Sequence, residues 1–517
     1  LNFSNMANFL NATANTYNAN TPGSVLDRTY RYETYGFYVQ DDVPLKTSLT
    51  LNMGLRYEFM TVPNETRGHG SAVRDFFTDA DGTPGAPFKQ MSLKNFSPRL
   101  GLAWDVRGDG TMSVRAGAAL LYDVAVFGQA LSIATTGTPP YSAVSNVTNQ
   151  QITSLGLNPI TLPLFFPDAA KGRSLRTVDY NLEQPHILDY HVTFEKQLPG
   201  QIGITLAYAG SRGLNIMQTK DGNPTIPTIM PDGRQFWPAG ARRNSLLWEG
   251  MELKTAGGNS WYNSLQLSVN QRLSRGFQLQ SSYTYAKVID DTQGQAGADN
   301  AGSSIFGLNP SRRSTDRAVA DFDTTQNWRI NTIYSLPKFA EGGIVGGLVN
   351  GWRLSNILSL QTGYPFTPAL NTNRSRNVVN TGGGGIDRPD LVAGRTRSDI
   401  IRGGINGYFD GKAFTLPEPG YIGNAGRNIL RGPGLANLDF SVTKETAISK
   451  LGESGRLEFR VEVFNILNRV NLGMPNRTVF TGNSVPPATE QPLATAGIIN
   501  NTATTSRQMQ FALKLYF

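Results

Sequence analysis

Few side chains in this sequence could do covalent or metal chemistry. The 517 residues include no cysteine and only three histidines, which excludes disulfides, thiolate metal sites and cysteine nucleophiles. His69 stands alone in a polar stretch. His186 and His191 lie at the start of an extended segment, where their odd spacing sends them to opposite faces, so no shared metal is expected. Asp79-Ala80-Asp81-Gly82 opens like a calcium loop, but the TPGAPF that follows lacks the remaining oxygen ligands and the closing Glu, so an Asp/Gly turn is expected. The glycine run 382–385 lacks the Lys and Ser/Thr of a phosphate loop and reads as a loop tip. No catalytic, cofactor-binding or metal-ligating residue is assigned. What remains is a set of aromatics able to stack on a sugar or peptide: Tyr141, Trp237, Trp248, Trp261, Tyr364, Phe366, Tyr408 and Tyr421. All lie in or beside long polar stretches, and packing within those stretches is the competing role.

Those stretches hang between strands. At the C-terminus, Met509, Phe511, Leu513, Leu515 and Phe517 alternate with Gln508, Gln510, Ala512, Lys514 and Tyr516, the period of an extended strand with one apolar face. The same alternation carries Leu49, Leu51, Met53, Leu55, Tyr57 and Phe59, then Leu100 to Val106 and Met112 to Leu120, and recurs in pairs to the end of the chain. Short links such as RGDG (107–110) and PG (199–200) join the members of each pair. Long polar stretches, roughly 61–95, 124–185, 214–259, 289–321, 363–433 and 468–504, join one pair to the next. Long structureless loops count against a soluble domain. Short turns on one side and long loops on the other suit an outer-membrane barrel.

Composition agrees. Hydrophobic residues make up 39% and mean hydropathy is −0.29; no apolar run approaches the ~18–20 residues of a spanning helix, whereas a barrel turns only every second residue to lipid. The net charge of +8 is scattered, so nucleic acid is not an expected partner. The expected fold is all-β: a transmembrane antiparallel up-and-down β-barrel with about thirteen strands present, long extracellular loops and short periplasmic turns. Arg56, Glu58, Arg115, Glu195, Glu458, Arg460 and Glu462 would line the lumen, mostly as mutual partners or solvated charges. Tyr57, Phe59, Trp104, Tyr122, Tyr208, Tyr283, Tyr285, Trp328 and Trp352 would form interfacial girdles. With the last strand ending at the periplasmic side, residues 1–29 become an extracellular loop segment with one short helical turn and 30–517 the C-terminal part of a barrel. An odd strand count, where single-chain barrels have even ones, implies further strands upstream.

Several segments resemble a known family. YGFYVQDDVPLKTSLTLNMGLRYE (35–58), FSPRLGLAWDVRGDGTMSVRAGAALLYD (96–123) and YNSLQLSVNQRLSRGFQLQSSYTYAKVIDD (262–291) resemble the barrel strands of TonB-dependent outer-membrane receptors. DRPDLVAG (387–394), GNAGRNILRGPGLANLDFSVTK (423–444) and FRVEVFNILNRVNLG (459–473) are similar to the Oar-like branch, whose members carry a carboxypeptidase-regulatory-like domain. The resemblance implies a barrel of about 22 strands around an N-terminal plug, with substrate bound by plug apex and loops and energy supplied by the TonB–ExbB–ExbD complex. This chain carries no plug and no box for that complex, so both belong upstream. The last strand also resembles the signal read by the barrel assembly machinery, carried here by Phe511, Leu513, Leu515 and Phe517. The implied function is energised uptake of a sugar, peptide or chelate across the outer membrane of a Gram-negative bacterium, without enzyme activity. A passive porin or surface adhesin, a β-barrel enzyme using Asp, Glu or Ser, and a soluble β-sandwich array are the alternatives.

Overall fold

The computed structural model describes residues 1, 3, 5–14, 17–89, 91–124, 128–147, 174–292, 306–341, 343–377, 387–448, 452, 454–486 and 489–517. The glycine run 382–385 lies outside the described residues. One large sheet dominates. Its strands are β1 (Thr34–Lys46), β2 (Leu49–Met60), β3 (Phe96–Asp105), β4 (Met112–Tyr122), β5 (His186–Leu198), β6 (Ile202–Asp221), β7 (Met251–Ser274), β8 (Phe277–Asp290), β9 (Gln326–Ser335), β10 (Trp352–Gln361), β11 (Leu435–Ala447), β12 (Arg456–Phe464) and β13 (Gln508–Tyr516). Each pairs with its neighbours in sequence, so the sheet is an up-and-down meander. The pairings along this path are antiparallel. Leu175–Val178 adds a parallel segment to β7, and Ala318–Val319 an antiparallel one to β8. Among the described residues no pairing joins β1 to β13.

Register shows which face meets lipid. Val192, Tyr208, Leu265 and Tyr285 lie side by side across β5 to β8, and each is 43–53% exposed. In water such a row would forgo much of the ~1.5–3 kcal/mol that each large side chain gains by burial; in a bilayer it meets acyl chains. On β13, Met509, Phe511, Leu513 and Leu515 are likewise exposed. The other face carries the charges, and they pair: Arg56 with Glu58 at 2.7 Å, Arg115 with Glu195 at 3.7 Å, Arg460 with Glu458 at 2.7 Å and with Glu462 at 3.7 Å. Girdle aromatics stack at strand ends, as Tyr57 does on Phe96 and Tyr35 on Phe59, with centroids 4.8 and 5.2 Å apart. Gly210 is required by this packing, because a Cβ there would stand 2.4 Å from the Tyr190 ring that lies over it.

Apolar burial is concentrated in the loop layer outside the sheet. Phe366, Leu370, Ile400, Phe409, Phe414, Leu430, Val479 and Phe480 form one core shared by the loops after β10 and β12. Met60, Phe88, Met91, Leu131, Val178, Leu182 and Met217 form a second, and Val73, Leu175, Trp248, Met251 and Leu253 a third. One expectation changes in consequence. The stretch 214–259 is not all loop, since β6 runs to Asp221 and β7 starts at Met251, giving strands of 20 and 24 residues where about 9–11 would cross a membrane. Register shifts between Gly213 and Ile216 and between Ile216 and Gln218 break the alternation, so the period-two signal ends at the first bulge although pairing continues. Residues 1–29 hold the expected short helical turn at Met6–Leu10, and strand Tyr17–Asn20 pairs with Val144–Val147 of the loop after β4.

Candidate functional site

The extended ends of β6 and β7 wall a polar cleft of about 500 Å³ at the loop-bearing end of the sheet. Gly257, at φ +119°, makes the turn of backbone that opens it. Its acidic walls are committed. Asp179 accepts from the Thr255 hydroxyl at 2.8 Å, Asp291 accepts from the backbone and side-chain amides of Asn259 at 2.6 and 3.0 Å, and Asp316 is ion-paired with Arg388. Beneath the cleft, buried Lys254 donates to Thr219 at 2.6 Å and pairs with Glu252 at 3.0 Å, which also takes Arg176 at 2.8 Å. Burial pulls the Lys254 ammonium below the usual lysine range, against the pull of Glu252. Glu183, Lys220 and Arg313 line the same cleft and have no ion pair among the described residues. A cleft with fixed acidic walls and three uncommitted charges can hold a polar solute by charge-assisted hydrogen bonds.

Buried ion pairs latch the roof. Arg427 pairs with Asp290, Arg388 with Asp316 and Arg431 with Asp323, each joining the loop after β10 to β8 or to the loop after it. Asn428 adds a bond to Asp321 at 2.5 Å. Arg374 donates to the carbonyl of Pro417 in its own loop at 2.5 Å and spans to the loop after β12 through the carbonyls of Gly482 and Ser484 at 3.0 and 2.6 Å. The latch residues fall largely within the DRPDLVAG and GNAGRNILRGPG runs.

Asp387 adds a pH response. Burial pushes its carboxyl up to about 6, against the lowering effect of Ser375, whose amide and hydroxyl it accepts at 2.5 and 2.8 Å. The folded value thus lies above the unfolded one, near 3.8. The native state binds the proton more tightly, so Asp387's contribution to stability is fully present below pH ~4 and is lost as pH rises to ~6. The expected loss is about 3 kcal/mol across that window. Amide exchange at Ser375 and Asn377, corrected for intrinsic rate, should quicken from pH 4 to 6, and Asp387→Asn should flatten the response.

The expected aromatics divide. Trp237 is buried and donates Nε1 to Thr225 O at 3.0 Å; Trp248, Phe366 and Tyr408 are buried in the loop cores. These four present no open face to a ligand, because the loop layer is thick enough to have cores of its own. Tyr364 is 39% exposed, Tyr141 packs edge-on against His69, and Tyr421 lies between Phe236 and the Arg234 guanidinium. Trp261 belongs to β7. His186 tilts against Tyr122, while His191 lies over Gly117 on the opposite face of β5. Asp79 caps the amides of Arg74 and Asp75 in a turn. Among the described residues no group of three His, Asp or Glu could hold a metal. Glu183, Lys220 and Arg313 escape sequence reasoning because nothing in their spacing marks them.

No curated protein sequence matches the chain. Similar solved structures include the outer membrane transporter YddB from Escherichia coli, at 10% identity and a TM-score of 0.45, covering 94% of this chain and 45% of that one. The siderophore receptor PiuA from Acinetobacter baumannii shows 8% identity and a TM-score of 0.43, covering 94% and 43%. The ferripyoverdine receptor of Pseudomonas aeruginosa shows 11% and 0.42, covering 94% and 39%. The chain thus spans less than half the length of each. Residues 2–510 match the family described as outer membrane beta barrel domain. With a lipid-ready apolar face, a charged opposite face and loops confined to one end, the chain belongs to that family and resides in the outer membrane of a Gram-negative bacterium.

Proposed function

We propose that this chain is barrel of a TonB-dependent receptor of the Oar-like type, and that it takes up a small polar substrate (a sugar, peptide or chelate) by energised transport. The observation that carries the reading is the cleft at the loop end, where Lys220, Arg313 and Glu183 are uncommitted while every acidic wall residue around them is engaged. Among the expected aromatics Tyr364 is exposed enough to add a stacking contact, outside the lining of the cleft. Phe511, Leu513, Leu515 and Phe517 serve as the signal for the assembly machinery. A 22-strand total, a plug and a TonB contact belong to the receptor class and rest on the resemblance of the strand and loop segments.

Uptake by cells of a panel of labelled sugars, peptides and ferric chelates tests this. Lys220→Ala and Arg313→Ala should each lower uptake of the accepted solute about tenfold, the loss of one charge-assisted hydrogen bond. A protonophore should stop accumulation against a gradient. Uptake that survives the protonophore at full rate would replace the reading with passive passage, and surface attachment without uptake would replace it with adhesion.

A further inference from the structure

The outer face of the sheet carries a second cluster beside the cleft, sharing Asn259 with its wall. Leu188, Arg212, Trp261 and Ile289 stand in one row across β5 to β8. The Arg212 guanidinium stacks on the Trp261 indole at 3.9 Å, and Arg317 stacks on the same indole at 4.3 Å. Arg317 is delivered by the segment Ala318–Val319, whose pairing with Ile289 and Asp290 fixes its place. Arg212 is held rigid by the carbonyls of Gly213 and Ser260 at 2.7 and 3.0 Å and by Asn259 Oδ1 at 3.0 Å. These acceptors are neutral, and among the described residues neither arginine has an ion pair. The nearby carboxylate, Asp291, is engaged by Asn259. Exposed Lys287 lies one outward step below, opposite Asn263.

Height locates this cluster. From Ile202 at the inner turn to Arg212, β6 climbs about 25 Å at ~3.3 Å per residue and the usual tilt, the height of a barrel's apolar band. The three cations therefore stand at the outer edge of the lipid-facing band, above Leu206, Tyr208, Leu265 and Tyr285, which are all exposed. Two like charges on one indole are costly unless an anion joins them. An apolar groove of about 400 Å³ runs below on the same face, where Ala116 and Ala118 form the floor between Leu100, Leu102, Tyr190 and Val192. The Tyr190 ring over Gly210 marks its boundary toward Arg212.

We propose that Arg212, Arg317 and Lys287 bind the phosphate of an outer-leaflet lipid headgroup, with Trp261 as the stacking platform and the Ala116–Ala118 groove holding an acyl chain. The occupant is a phosphorylated lipid because only a lipid satisfies the charged edge and the apolar groove together.

The test uses the protein in vesicles of phosphatidylethanolamine containing either phosphorylated lipid A or its dephosphorylated form, with retained lipid counted by native mass spectrometry after mild detergent extraction. Arg317→Gln and Lys287→Gln leave the backbone contacts of Arg212 intact, and heat-modifiable gel mobility reports folding. Each substitution should lower retention of phosphorylated lipid A about fivefold, and the pair roughly thirtyfold. Dephosphorylated lipid should be retained weakly and equally by all variants, and free inorganic phosphate should compete only weakly. Equal retention of phosphorylated lipid by wild type and the folded double variant would overturn the proposal, leaving Arg317 as a loop clamp. Equal retention of both lipid forms by wild type would also overturn it. Full displacement by free phosphate would show an anion site with no lipid preference, and would overturn the lipid assignment.

Discussion

Arg427→Ala is expected to free the loop layer from the barrel while the barrel itself stays folded. The Arg427 guanidinium is buried, pairs with Asp290 at the top of β8, and donates to the carbonyls of Thr292 and Val319 at 3.1 and 3.4 Å. Its Nε faces Asp321 at 4.0 Å. Truncation leaves the carboxylates of Asp290 and Asp321 buried without that cation, and breaking a buried pair from one side costs about 3–5 kcal/mol. Amide exchange across 366–377 and 387–430 should accelerate by roughly two to four powers of ten, with exchange of the strand amides unchanged. Replacing Asp290 by Asn in the same chain should recover part of the loss, since the remaining buried group is then neutral. Exchange in these two segments that does not change would show that the apolar core around Phe366, Leu370 and Phe480 holds the layer alone.

The strands could be read from the sequence because a lipid-facing strand advertises itself. One residue in two must be apolar, with no turn to blur the pattern, and the strand pairs fall where the alternation puts them, apart from the loop-end extensions of β6 and β7. The charges on the opposite face were legible for the same reason, and Arg56–Glu58 and Arg460–Glu458 are the pairs that alternation implies. Beyond Gly213 the signal fails, because a bulge shifts the register and the residues that follow meet other loops in place of lipid. The latch was not legible: Arg427 and Asp290 are far apart in sequence, Asp290 is the last residue of β8 and Arg427 lies in an aperiodic stretch. The burial of Trp237, Trp248, Phe366 and Tyr408 was hidden likewise. An aromatic in an aperiodic stretch looks the same whether it awaits a ligand or fills a core, and only the three-dimensional layer distinguishes them. The runs 387–394 and 423–434 marked a resemblance, and the structure shows what they do: they supply Arg388, Arg427 and Arg431 to three acidic partners.

Leu513→Arg is expected to cost the assembled barrel about 2–4 kcal/mol, the penalty for a cation near the bilayer midplane on a lipid-facing strand. Leu513 is 68% exposed at the middle of β13, opposite Phe459 of β12 and flanked on its own face by Phe511 and Leu515. Arginine there cannot reach the interface without distorting the strand, whereas Lys514 on the other face already points to the polar side. Denaturant unfolding from a defined bilayer measures the cost directly, and Leu513→Ala should lose much less. Deleting Phe517 separates stability from assembly. That ring is 88% exposed and lies beyond the last ladder pair, Arg456 with Tyr516, so its removal should change the unfolding midpoint little. If Phe517 belongs to the signal read by the assembly machinery, the deletion should nonetheless reduce the heat-modifiable, membrane-inserted fraction in cells several-fold. Normal insertion of the deletion variant would confine the signal to Phe511, Leu513 and Leu515. A large drop in its unfolding midpoint would instead make Phe517 a structural residue of the closing strand.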